Sequence, residues 1–363
     1  MIDLGSKNLR DIDWLLLLAP IALTAFGCAA IYSAAPNDEA KKQVIALIIG
    51  IVIAVVVMFN DYRKILINGA PFFYAAVIVL LVLVLIIGKQ VHGNKAWLHL
   101  PGLPSIQPSE FAKVATILML ARHMGQSRNG PLSIKDMAIM AAIAMPPVML
   151  VFLEHDTGTT LTFGAILGAF YFLGGIRKTM LAAGIIAVAL GLVGVYPHLR
   201  GYQKERIKAI IDPENVDPRG YAYQSIQSVI AVGSGGVTGK GIGHGTQGRL
   251  GFLPFAWTDF IGAVIAEETG LVGILFVMVL YLLLLWRLIA VAKGSRDRAG
   301  ALMVMGFVAL ICFHIMCNLG MVVGLMPIMG IPLPLMSSGG TAVMSIFLGV
   351  GLALSVRLRR FVN

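Results

Sequence analysis

Asp259 stands in Leu253-Pro254-Phe255-Ala256-Trp257-Thr258-Asp259-Phe260, where a polar stretch meets a long apolar one. A carboxylate at such a border is partly desolvated, which raises its pKa and makes it a better proton acceptor. General-base activation of a hydroxyl suits that position. A helix cap suits it equally, because Thr258 or Asp259 can accept the first free amides of a helix. Glu267 and Glu268 follow deeper in the same apolar run. Glu110 and Lys113, in Gln107-Pro108-Ser109-Glu110-Phe111-Ala112-Lys113, form a second candidate set. Three residues apart on a helix, they share a face and can pair. Ionisable groups in an apolar span are functional candidates by default, although a cap and a structural ion pair would leave the same pattern. Asp156, in Glu154-His155-Asp156-Thr157-Gly158-Thr159, reads first as an N-cap. His155 and His314 carry no specific signal.

A polar, glycine-rich segment from His198 to Phe260 holds further candidates. Lys204 and Arg206 belong to a basic run, Tyr202 to Lys208, that suits an anionic partner such as a phosphate, or anionic lipid head groups. Gln224 and Gln227 come next, then Gly233-Ser234-Gly235-Gly236 and Gly239-Lys240-Gly241. Gly243 to Gly248 fits the dinucleotide fingerprint only formally, with no strand–helix unit around it, and the Walker A pattern fails at Ser234 and Gly241. What remains is either backbone able to approach a ligand and offer N–H donors to phosphate oxygens, or simple loop flexibility. Asn318, and Ser338 in Ser337-Ser338-Gly339-Gly340, lie where Pro and Gly interrupt the last apolar runs; broken backbone in a bundle belongs where it lines a cavity or is packed in protein.

The elements that must position these residues are membrane helices. The chain has 363 residues, 58% hydrophobic and only 13% charged. Soluble domains carry about 25% charged residues, so lipid is the solvent for this surface. The formal charge of +10 comes from short basic clusters between apolar runs, which argues for membrane topology and against nucleic acid. Cys28, Cys312 and Cys317 fit neither a zinc site nor a disulfide framework. No cleavable signal peptide is evident ahead of the first run. Ten spans are expected, at 14–35, 44–60, 71–88, 107–124, 136–153, 157–174, 179–197, 262–290, 301–326 and 333–356. The fold class is all-α and polytopic, one transmembrane domain over 1–363 with a large external loop at 198–261 between the seventh and eighth spans. Most of the Lys and Arg of the short loops fall on the side of the termini, which puts both termini in the cytoplasm.

Taken together, these segments resemble the SEDS family (shape, elongation, division and sporulation) over nearly the whole chain. The stretches that carry the resemblance are Gly88 to Trp97, Gln107 to Lys113, Gln203 to Gln227, Gly233-Ser234-Gly235-Gly236, Gly239-Lys240-Gly241, Gly245-Thr246-Gln247, Thr258-Asp259-Phe260 and Asn318 to Gly340. The resemblance implies a ten-span fold and peptidoglycan glycosyltransferase activity on lipid II and the growing lipid-linked glycan. It also implies a class B penicillin-binding protein as transpeptidase partner, and a place in the bacterial cytoplasmic membrane with the site outside. Asp259 takes the position of the family's catalytic aspartate, Glu110 and Lys113 match the pair of its fourth span, and Ser338-Gly339-Gly340 matches the motif before its last span. The substrate-binding expectation covers Glu110, Lys113, Lys204, Arg206, Gln224, Gln227, Ser234, Gly235, Gly236, Lys240, Thr258, Asn318 and Ser338. A divalent cation, Mg or Mn, is an optional cofactor and no nucleotide is needed. The short N-terminal segment is similar to the elongation branch rather than the division branch. Departures are Phe255 for a common Glu, Trp257 for a His, Ser338 for a frequent Tyr, and Glu154-His155-Asp156 for Gln-Pro-Asp. Rival readings are a lipid II flippase and a non-catalytic scaffold for the penicillin-binding protein.

Overall fold

Asp13 starts the first helix: its carboxylate accepts the Leu16 amide at 3.3 Å, and α1 runs Trp14–Ala34. The structure, a computed structural model, describes residues 12–35, 37–91, 94–98, 105–126, 132–177, 179–180, 182–184, 204 and 223–360. Within them follow α2 (Asn37–Phe59) and α3 (Tyr62–Ile87), the latter with a π-helical turn at Ile65–Gly69. A short antiparallel hairpin, β1 (Lys89–Val91) and β2 (Asn94–Trp97), leads to α4 (Pro108–Gln126), α5 (Ile134–Leu153) and α6 (Thr157–Leu173). Then come α7 (Tyr223–Gly235), α8 (Ile261–Lys293), α9 (Arg298–Val322) and α10 (Gly340–Leu358).

The chain is a polytopic helical membrane protein. Seven described helices are long and apolar enough to cross a bilayer, and α6 is a shorter apolar one. Their outward positions carry exposed Phe72, Leu83, Leu282 and Trp286, a lipid-facing surface. α4 is less apolar and sits inside, with Glu110, Lys113 and Thr116 buried. Ionisable side chains therefore face protein instead of lipid. The expected span at 179–197, apart from residues 179–180 and 182–184, and the loop up to residue 222, apart from Lys204, lie outside the described residues. The last span starts at Gly340 instead of 333, because Pro334 and the left-handed Leu335 (φ 67°) keep 333–339 out of the helix.

From Tyr223 onward the glycine-rich segment takes on defined structure against α8. Gln224 to Gly235 are helical, with Ser228 hydroxyl donating to Val322 carbonyl at 2.8 Å. α8 is broken at Gly270 (φ 65°, ψ −162°), a conformation only glycine adopts without strain. The segment after α7 inserts there. Lys240 and Gly241 amides donate to Glu267 and Glu268 carbonyls (3.0 and 2.9 Å), while Leu271 and Val272 amides donate to Gly236 and Val237 carbonyls (3.0 and 3.1 Å). The backbone groups freed by the break are thus satisfied inside the protein, as an apolar surround demands.

At the opposite end of the bundle, polar bonds join helix termini. Arg287 Nε donates to both Asp13 oxygens (3.1 and 3.0 Å), Arg63 Nε to Asp297 Oδ2 (2.9 Å), and Arg359 Nη1 to Ser355 Oγ (2.7 Å).

Candidate active site

The alternation of the helices brings the ends of α1, α3, α5 and α9 together with the starts of α2, α4, α6, α8 and α10. Asp259 lies in the turn before α8. The turn is built on Phe255, left-handed at φ 58°, whose carbonyl accepts the amides of Thr258 (3.1 Å), Asp259 (3.1 Å) and Phe260 (3.2 Å), with Thr258 Oγ1 also donating to it. Asp259 is half-buried. Asn318, at the end of α9, clamps this turn: its Nδ2 donates to Asp259 carbonyl (2.8 Å) and to Ile331 carbonyl (2.9 Å). Asn318 Oδ1 is buried without a partner among the described residues. Gly330 lies against the carboxylate, where a side-chain carbon would stand 3.8 Å from Asp259 Oδ2.

Ser338 meets the same turn from the other side. Its amide donates to Trp257 carbonyl (2.9 Å) and its hydroxyl to Glu39 Oε2 (3.1 Å). Buried Gln43 grips the neighbouring backbone, donating to Ser337 carbonyl (3.0 Å) and accepting from Gly339 amide (3.2 Å). Glu39 and Gln43 were not singled out from the sequence. The one available signal was the acidic first turn of α2, with Asp38–Lys41 and Glu39–Lys42 three residues apart. It starts the helix at Asn37 instead of 44.

Glu110 and Lys113 form the expected pair, with Lys113 Nζ 2.8 Å from Glu110 Oε1 and both side chains buried. Ser345 hydroxyl approaches Glu110 Oε2 at 3.4 Å. Asp156 caps α6, accepting Thr159 amide (2.9 Å) and hydroxyl (2.8 Å), and takes Gln107 Nε2 at 3.3 Å. Gln107 amide in turn donates to Thr341 Oγ1 (3.3 Å), which ties α4 and α6 to α10. Burial raises the Asp156 carboxyl above the usual range, against the pull of the Thr159 bonds. Glu154 is more extreme. Both its oxygens are buried without a partner among the described residues, and burial, followed by the charge of Asp156, pushes its carboxyl up to about 8.

The glycine-rich candidates sit on the other flank of α8. Lys240 Nζ pairs with Glu267 Oε1 (2.6 Å), and Thr246 amide and hydroxyl donate to the same oxygen (both 2.8 Å). Gln247 amide donates to Glu267 Oε2 (3.1 Å), and Gly243 and Gly245 amides to the Glu268 carboxylate. These donors face α8's own glutamates and not an open phosphate cradle. Gly235 packs on Ala266 carbonyl, where a side-chain carbon would come within 1.9 Å, and Ser234 hydroxyl bonds back to Ala231 carbonyl. Gln224 and Gln227 are half-buried on α7. Lys204 is a single described residue, and Arg206 lies outside the described set. An apolar cavity of about 560 Å³ lies between α7, the first half of α8 and the end of α9, lined by Gly236, Gly262, Leu271, Ile274, Leu319 and Met326 among others.

Comparison with known proteins assigns this architecture. The profile of the cell cycle protein family that unites FtsW, RodA and SpoVE matches residues 13–360. The chain belongs to that family. The peptidoglycan glycosyltransferase MrdB of Escherichia coli (strain K12) is 37% identical over 353 residues, covering 96% of this chain and 94% of that one. Peptidoglycan glycosyltransferase RodA of Treponema pallidum is 29% identical over 433 residues, covering 98% and 99%. Among solved structures, a chain from a peptidoglycan synthase complex that coordinates polymerization and crosslinking superposes with TM-score 0.83 at 32% identity, over 97% of this chain and 99% of that one. The rod shape determining protein RodA of Thermus thermophilus does so with TM-score 0.72 at 29% identity, over 97% and 98%. Membership places this chain among the peptidoglycan glycosyltransferases.

Proposed function

We propose that the chain polymerises lipid II into glycan strands during cell elongation, by inverting transfer with Asp259 as general base. The donor is the growing glycan on its lipid pyrophosphate. The acceptor is lipid II, attacking through the 4-hydroxyl of its GlcNAc. Asp259 takes that proton as the glycosidic bond forms and the lipid pyrophosphate leaves. The observation that carries this reading is the mounting of Asp259: a three-amide turn on Phe255 carbonyl and the Asn318 clamp hold it where the external segment enters α8. Such preorganisation is what a general base requires.

Lys113, Lys204, Arg206 and Lys240 are the cations available to the leaving pyrophosphate. Lys240 and Lys113 already hold a glutamate each, so their contribution requires that pair to open or to share its charge. Among the described residues no three His, Cys, Asp or Glu side chains converge, so the donor set does not make a protein cage for a metal. A Mg²⁺ or Mn²⁺ ion would be held here mainly by substrate phosphate oxygens and water, as Mg²⁺ commonly is, leaving the Asp259 carboxylate free as the base. Bound so, it would neutralise charge on the leaving group.

Positive-inside topology supports a site on the outer face of the cytoplasmic membrane. The likeness to a chain of a synthase complex supports a class B penicillin-binding protein as partner. The test is lipid II polymerisation by purified Asp259→Asn and Asp259→Ala variants with that partner. Both are expected to lose roughly 10²–10⁴-fold in rate while remaining folded. Wild-type turnover by either ends the base assignment. The break in α8 is also a transporter feature, and glycan formation in detergent, where no sidedness exists, separates polymerase from flippase.

A further inference from the structure

We propose that His314 is a positioning residue, whose imidazole ties the buried Glu110–Lys113 pair to the backbone that walls the Asp259 carboxylate. The proposal deepens the reading of Asp259 as base and rests on it.

His314 is buried on α9, one turn before Asn318. Its Nε2 stands 3.5 Å from Lys113 Nζ on α4 and 3.4 Å from Thr162 Oγ1 on α6. An ammonium has only donors, so Nε2 faces it as an acceptor. Pro332 lines the same small buried cavity as His314, Glu110 and Lys113, with its backbone within reach of the imidazole. Proline has no amide hydrogen, so there the imidazole donates and the carbonyl accepts. With Nε2 accepting, the ring proton belongs on Nδ1, and the ring is neutral beside Lys113. Tautomer and ring orientation follow from the partners.

One face of α9 therefore meets two consecutive carbonyls: Asn318 takes Ile331 and His314 faces Pro332. The residue just before them, Gly330, lies against Asp259 Oδ2. A shift of Lys113 reaches this wall through a single ring. Glu110 completes the group on the α4 side, with Ser345 of α10 beside it. His314 touches no reacting atom in this scheme; it sets where Gly330 to Pro332 stand. Misplacement by about 1 Å costs a reaction on the order of 10²-fold.

The test compares His314→Phe, His314→Gln and His314→Asn on lipid II polymerisation by the protein with its partner. Phe keeps the ring and loses both contacts. Its kcat is expected to fall about 10–100-fold with KM within about twofold. Gln offers a carbonyl oxygen and an amide N–H, and is expected to recover most of the loss. Asn reaches Pro332 but not Lys113, and is expected between the two. A Phe variant within about twofold of wild-type kcat overturns the proposal, as does a loss confined to KM. Imidazole ¹⁵N shifts at pH 7, assigned by the signal missing in His314→Asn, give a readout independent of turnover. The Nδ1–H neutral form is expected; an Nε2–H tautomer or an imidazolium overturns the proposal. An active Asp259→Asn variant would sink the base and leave the tautomer result standing. A wrong tautomer would sink His314 and leave Asp259 untouched.

Discussion

Lys113 and Glu110 show how a buried pair behaves differently from its halves. Lys113→Met leaves Glu110 uncompensated in the bundle and is expected to cost about 3–5 kcal/mol. Glu110→Gln combined with Lys113→Met removes both charges and should regain much of that loss in thermal unfolding in detergent, while polymerisation stays low. Regained polymerisation would mark the pair as structural only. Glu154 gives a pH signature. Its folded carboxyl titrates near 8, above the ordinary value of 4.5, so the folded state holds a proton that the unfolded chain releases. Stability from this group is full below pH 4.5 and is lost as pH rises through 8. Glu154→Gln should flatten that decline, and melting curves from pH 5 to 8.5 would show it. Parallel curves for the two proteins would reject the assignment.

α8 is the element on which the segment after α7 depends. Its break at Gly270 exposes carbonyls and amides that residues 236–241 satisfy, and a side-chain carbon at Gly270 would stand 2.4 Å from Gly239 nitrogen. Gly270→Ala adds that clash to a glycine-only conformation, so a loss of at least about 1–3 kcal/mol is expected in detergent melting. The α7–α8 packing should loosen with it, read as faster hydrogen exchange at Leu271 and Val272. A variant as stable as wild type would mean that the break does not hold the segment.

The whole molecule is polar at both ends for different reasons. One end joins helix termini through Asp13–Arg287, Arg63–Asp297 and Arg359–Ser355. The other gathers Glu39, Gln43, Glu110, Asp156, Asp259, Asn318 and Ser338. The proposed orientation puts the second end outside. With Cys28, Cys312 and Cys317 replaced by alanine, exposed His244→Cys should react with an impermeant maleimide from outside the cell, and exposed Arg296→Cys only after permeabilisation. The reverse pattern would invert the topology.

Nine of the expected spans appear as described helices, because transfer of about 20 apolar residues into lipid is a local property of each run. Asp259, Glu110, Lys113 and Asp156 were legible for a related reason: a charged residue at or near the edge of an apolar run stands out by type alone. Tertiary structure decided what those residues touch. Glu39 meets Ser338 across 299 positions, Gln43 reaches Ser337 across 294, and Lys113 reaches His314 across 201. No local period encodes such bonds, since they form only after helices far apart in the chain have packed. The same holds for the glycine-rich segment. Its composition announced backbone freedom, but only the break in α8 showed which carbonyls, amides and carboxylates that backbone was shaped to meet.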